Sequence, residues 1–235
     1  MPSDAGCVLI TGAAGVLGHA VAAHFAARGD RLALLGHSND ALEAQVRELK
    51  GADVLPLALD LLDAAAVAAA VEKTVARFGG IRAAIHLAGG FTMGSPVHET
   101  DTDTWQRMLD LNVNTMLHSA AAVVPVMRRV RRGFIVNVGA AAAMRGAAKM
   151  GAYIASKSAL MRLTESMAAE LREDGINVNA VLPTTIDTPA NRTSMPKADP
   201  ARWVAPAALA DVIGFLASDA ARAVHGALVP VSGLS

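Results

Sequence analysis

The sequence predicts an α/β molecule, a doubly wound parallel sheet of about seven strands with helices on both faces. Three observations predict it. Short apolar runs alternate along the chain with longer stretches of helical period. Most of those runs are apolar throughout, as strands covered on both faces must be. No repeat or linker divides the 235 residues, so 1–235 reads as a single domain.

The first run, 7–10, precedes a helical stretch at 15–28 in which Val16, Ala20 and Val21 share a face. Gly29 is its stop signal. A second strand at 31–35 is followed by a helix at 39–50, with Ser38 or Asn39 as its cap. Runs at 54–59, 83–87, 134–138, 178–182 and 228–231 complete the strands. Helical patterns fill the gaps at 63–78, 103–130, 153–172 and 206–217. The alanine-rich run 64–70 suits a tightly packed helix, since alanine is the best helix former.

Hydrophobic residues make up 53% of the chain and charged ones 18%, enough for a large core plus surface buried between subunits. Small faces such as 120–122 and 155–159 suit close helix packing between subunits, and the resemblance drawn below implies a homodimer or homotetramer. Lys+Arg and Asp+Glu both number 21, so no global field draws nucleic acid or an anionic membrane. Arg128, Arg129, Arg131 and Arg132 read as a solvated helix end. Cys7 is the only cysteine and lies in an apolar run, which predicts a buried, inert thiol. Met1-Pro2-Ser3-Asp4 lacks the opening of a signal peptide, and no 18-residue apolar span occurs; a cytoplasmic location is expected. The seven histidines are scattered without HExxH or paired-cysteine spacing, so no metal is expected. No Gly-x-Ser-x-Gly elbow points to a nucleophilic hydrolase.

Doubly wound sheets bind ligands beyond the carboxyl ends of their strands. There, Thr11-Gly12-Ala13-Ala14-Gly15-Val16-Leu17-Gly18 joins the first strand to the first helix. Glycines permit a tight turn and let the backbone approach a pyrophosphate seated at the positive helix N-terminus, the Rossmann-type dinucleotide loop. An acid after the second strand would hold the ribose hydroxyls and repel a 2′-phosphate. This chain has Gly36, His37 and Ser38 instead, which favours NADP over NAD. Further along, Tyr153-Ile154-Ala155-Ser156-Lys157 sets a phenol and an ammonium one helical turn apart. A free tyrosine has a pKa near ~10. A neighbouring ammonium and an oxidised nicotinamide would lower it enough for proton exchange.

Glycine loop, Tyr153 and Lys157 together resemble the short-chain dehydrogenase/reductase family over nearly the whole chain. The family's usual loop is TGxxxGxG; here the spacing is TGxxGxxG, with Val16 at the middle glycine. The resemblance implies hydride transfer between NAD or NADP and a small C=O or C=N group. Tyr153 and Lys157 would be the proton-transfer pair, with Lys157 also on the cofactor ribose. Asn112 matches the family's helix-interrupting asparagine, which helps hold a water near the lysine. Gly12, Gly15, Leu17 and Gly18 would hold the pyrophosphate, and Asp60-Leu61 would lie beside the adenine, although Asp60 could equally cap the next helix. Ala88 and Gly89, in Leu87-Ala88-Gly89-Gly90, are small enough for the cofactor to lie against their backbone. Pro183, Ile186 and Thr188 would cover the nicotinamide.

The family also places a serine thirteen residues before the tyrosine, as a donor to the substrate oxygen; this chain has Ala140. Losing one such donor costs about 3–4 kcal/mol of transition-state stabilisation. Either the substrate does without that bond, or the chain is an impaired, cofactor-binding regulator. Within the family, the segment 182–199, Ala88-Gly89-Gly90, Gly139-Ala140 and the glycine spacing are similar to the dihydropteridine reductases. That resemblance implies a quinonoid dihydropteridine, an electron-poor C=N system that needs the missing donor less. Phe91 would then stack on its ring or else sit in the core, and Arg192 would meet substrate or anchor the lid.

Overall fold

The computed structural model describes residues 6–234; the opening residues 1–4 examined for a signal peptide lie outside them. Seven strands form one sheet in the order β3-β2-β1-β4-β5-β6-β7, every neighbouring pair parallel. They are β1 Cys7–Thr11, β2 Leu32–Gly36, β3 Val54–Ala58, β4 Ile81–His86, β5 Gly133–Val138, β6 Ile176–Pro183 and β7 Leu228–Val231. All seven match predicted runs. Their ends shift by up to two residues, because hydrogen-bond register rather than hydropathy ends a strand; β6 extends from Ile176 to Pro183 on its pairing with β5 and β7.

Strand pleating sorts the core. Val8, Ile10, Leu32, Leu34, Ala83 and Ile85 face the helices α1 (Val16–Ala27) and α8 (Pro206–Leu216), where Phe25 and Ile213 are fully buried. Their neighbours Cys7, Leu9, Ala33, Leu35 and Ala84 face the opposite layer. That layer comprises α3 (Ala64–Phe78), α5 (Thr115–Val130) and α6 (Gly151–Leu171). The Cys7 thiol is buried, and desolvation pushes it up to about 12, so it is inert.

Helix caps follow the short polar side chains. Ser38 Oγ accepts from Ala41 N–H to open α2 (Asn39–Glu48). The cap of α3 is Asp63, which accepts from Ala65 and Ala66, not Asp60; Asp60 instead accepts from Leu62 N–H in the turn before. The stretch expected as one helix at 103–130 is α4 (Thr102–Leu109), a π turn at Asp110–Asn114, then α5. Periodicity could not show that break, because a π turn inserts one residue without leaving the helix. Pro125 sits inside α5. α7 (Pro189–Ser194) was not expected; its sequence is too short and polar to carry a period.

Arg128 and Arg132, at the end of α5, pair with Asp174 and Asp219 at 2.6 Å on the exposed surface, a solvated helix end as expected. No helix among the described residues is long and apolar enough to cross a membrane, and none of their His, Cys, Asp and Glu cluster to hold a metal ion.

Candidate active site

The sheet order reverses at β1, whose neighbours are β2 and β4, and the crevice that opens there lies at the carboxyl ends of the strands. Gly12 turns the chain out of β1 at φ 66°, and a Cβ on it would lie 2.7 Å from Ala88 N, so only glycine fits. Gly18 lies against Ala13, where a Cβ would come within 2.2 Å of the carbonyl oxygen. Gly15 stands at the N-cap of α1 with no side-chain cap, and the first turn carries no acid. Gly12, Gly15, Leu17 and Gly18 line a cavity of about 460 Å³ with Leu87, Thr188, Pro189 and Ala190. Uncapped N–H groups beside a close-packed glycine turn fit an anionic pyrophosphate, so the residues present suit a dinucleotide.

Lys157 and Asn112 both approach Gly89, in the loop after β4. A Cβ on Gly89 would lie 2.7 Å from Asn112 Oδ1 and 3.2 Å from Lys157 Nζ. Asn112 lies within the π turn and is 1% exposed. Its Oδ1 accepts from Gly90 N–H at 3.0 Å, while Nδ2 donates to Gly90 O at 3.1 Å and Ser156 Oγ at 3.0 Å. Ser156 Oγ in turn donates to the Tyr153 carbonyl at 2.8 Å. Lys157 Nζ donates to Val138 O at 2.8 Å, and its burial pulls the ammonium down to about 8.

Burial raises Tyr153 above its ordinary value, whereas the expected lowering calls on the oxidised nicotinamide as well as the ammonium. The structure gives the reason. Tyr153 packs with Met150 beside the buried Ala140, Ala143 and Ile154, so desolvation dominates, and the ammonium bonds a carbonyl. Ala140 supplies no hydroxyl there. Phe91, read as core or substrate platform, is not core: it is 58% exposed with its ring 4.9 Å from that of Tyr153, edge to face.

Pro183 ends β6, Ile186 bridges to Val204, and Thr188 Oγ1 caps α7 through Asn191 N–H, which brings Thr188 to the glycine-loop cavity. Arg192 chelates Asp187 through Nε and Nη2, so it braces this segment. His37 is exposed after β2, and the Ser38 hydroxyl is engaged as a cap. Leu61 O accepts from His118 Nδ1 at 3.0 Å, and Asp60 is exposed at the same edge. At the opposite ends of the strands, a cavity of about 200 Å³ is lined by Arg28, Asp30, Arg82 and Asp219, whose charges are satisfied by ion pairs such as Arg82–Asp30 at 2.8 Å. The chemistry therefore belongs at the carboxyl edge.

Comparison with known proteins agrees. The short chain dehydrogenase family matches residues 6–199. The chain belongs to that family. A 2-dehydro-3-deoxy-L-rhamnonate dehydrogenase (NAD(+)) from Sphingomonas sp. (strain SKA58) is 37% identical over 78% of this chain and 73% of its own. A 3-oxoacyl-[acyl-carrier-protein] reductase from Thermotoga maritima is 32% identical over 96% and 95%. A Brucella melitensis 3-oxoacyl-[acyl-carrier protein] reductase with bound NAD superposes at a TM-score of 0.87, with 32% identity over 97% of this chain and 90% of that one. The chain is thus an NAD(P)-dependent oxidoreductase of the short-chain dehydrogenase family.

The sequence reading missed parts of this family member's site. Ser156, which the spacing of Tyr153 and Lys157 gives no role, links Asn112 to the Tyr153 carbonyl. His86 went unremarked at the end of β4. It is buried, with Nδ1 2.7 Å from Asn137 Oδ1 and Nε2 2.9 Å from Ser119 Oγ. A polar residue inside an otherwise apolar strand was the available signal.

Proposed function

We propose that this chain reduces a small C=O or C=N substrate, with Tyr153 as the proton donor and Lys157 and Asn112 ordering the site around it. The observation that carries this reading is the meeting of Gly89, Asn112 and Lys157 one turn from Tyr153 and next to the glycine-loop crevice. The bound nicotinamide supplies the hydride. Tyr153 would give the proton to the developing anion. Lys157 Nζ is held on Val138 O, one helical turn on from Tyr153, and Asn112 fixes the β4 loop against α6 through Gly90 and Ser156.

NADP is the preferred cofactor in this reading. Its support is the absence of an acid at Gly36 and the exposed His37 beside it. Quinonoid dihydropteridine is the substrate that the segment 182–199 and Ala140 favour, because a conjugated C=N system is electrophilic without a second donor. A homodimer or homotetramer is supported by the apolar groove of about 400 Å³ between α3 and α5, lined by Val71, Val75, Ala122, Pro125 and Val126. Ala140 also supports a second reading, a regulator that binds cofactor without turnover.

Following NADPH and NADH oxidation against quinonoid dihydropteridine, ketones and quinones tests this. Turnover is expected, and Tyr153→Phe should lower kcat by about a thousandfold with cofactor affinity kept. Tight cofactor binding with no turnover of any panel member would favour the regulator instead.

A further inference from the structure

Apolar side chains stand exposed where the loops after β4 and β5 face α6. Phe91, Met93, Val97 and Met144 are each more than half exposed. Phe91 touches the Tyr153 ring, and Val97 lies where a Cβ on Gly151 would come within 2.6 Å of it. Clustered exposure of this kind marks a ligand surface, and methionine adapts to the shape it meets. Next to it the chain changes character. A cavity of about 70 Å³ lies between the two loops, with Thr92, Ser95, Lys149 and Gly151 in its lining. Gly94 N–H donates to Lys149 O at 2.9 Å and ties the loops together.

The Lys149 ammonium and the Thr92 and Ser95 hydroxyls have no partner among the described residues. The other hydroxyls of the lining are spent, Thr100 on Pro96 O and Thr104 on the Asp101 carboxylate. Asp101 is in turn held by Thr104 N–H as the cap of α4. No Asp or Glu occurs from residue 111 to 164, so nothing on α5, β5 or the loop before α6 neutralises Lys149. An unpaired cation with two free hydroxyls suits a carboxylate, which accepts several hydrogen bonds at once.

We propose that the carbonyl substrate this site prefers is an amphipathic acid. Its apolar body lies against Phe91 and Met144, with the reacting group at Tyr153, and its carboxylate bonds Lys149, Thr92 and Ser95. This rests on Tyr153 being the reacting site.

A matched pair of probes tests it: cyclohexanone and 4-oxocyclohexanecarboxylate, reduced by the wild-type protein with NADPH or NADH. The acid should have the higher kcat/KM by at least roughly tenfold, with the advantage shrinking as salt is raised. Lys149→Gln should bring the ratio near one, whereas Lys73→Gln, on α3, should leave it intact. Equal use of the two ketones by the wild type, or an unchanged ratio in Lys149→Gln, would overturn the proposal while leaving the reductase reading in place. Calorimetric titration of cyclohexanecarboxylate and cyclohexanol into the cofactor-loaded protein reads the same preference without turnover. Lys149-dependent binding of the acid in a protein that reduces nothing would keep the carboxylate site and sink the reductase. Equal binding of the two would sink the site.

Discussion

At Ala140 a single missing hydroxyl shapes the chemistry. The side chain is buried beside Tyr153, and neither Ala141 to Ala143 nor Met144 brings another donor. On the proposed mechanism a carbonyl reduced here would gain one hydrogen bond to its developing anion, from Tyr153, in place of two. Ala140→Ser should therefore speed reduction of simple ketones, by up to about a hundredfold. Steady-state kinetics on a ketone and a C=N substrate check this, and the gain should be confined to the ketone. Equal gains on both would mean that the serine repacks the site rather than bonding the oxygen. At this scale Tyr153 and Lys157 were legible, since their spacing fixes their relation on any helix. The desolvation of Tyr153 was not. It depends on side chains from β5, the following loop and α6 that only folding gathers.

Among the elements, the π turn between α4 and α5 positions the site most directly. It sets Asn112 inward, where one amide satisfies both backbone groups of Gly90 and reaches Ser156 on α6. Asn112→Leu keeps the branched shape and removes every one of these bonds, leaving Gly90 N–H and Ser156 Oγ short of partners. The expected cost is about 2–3 kcal/mol. That corresponds to a fall in Tm of about 4–12 °C for a chain of this size. Thermal unfolding of the cofactor-free protein measures it, and an unchanged Tm would show that water replaces the amide. The sequence marked Asn112 through its family position alone; a lone asparagine in a helical pattern carries no sign that it will bridge three elements.

Across the whole molecule, a polar thread runs through the apolar interior. His86 on β4 contacts Ser119 on α5 and Asn137 on β5, and Asn137 Nδ2 donates to Thr164 Oγ1 on α6 at 2.8 Å. Burial lowers the His86 pKa from 6.5 to about 4. Between those values the unfolded chain binds a proton at this residue and the folded one does not. Stability therefore rises with pH in that window, and it is lost as pH falls from 6.5 towards 4. Urea unfolding between pH 6.5 and 5 should show the decline, and His86→Asn should flatten it. A slope identical in the two proteins would assign the effect to other groups.

The sequence by itself determined the seven-strand alternation, the glycine loop and the one-turn spacing of Tyr153 and Lys157. All three are local patterns, set by pleat, helical turn and the freedom of glycine. Tertiary structure alone decided what surrounds them: the carbonyl that holds Lys157, the desolvation of Tyr153, the exposure of Phe91 and the unpaired ammonium of Lys149. Those properties depend on atoms distant in the chain. Electrostatic and burial energies are set by that company rather than by neighbours in sequence.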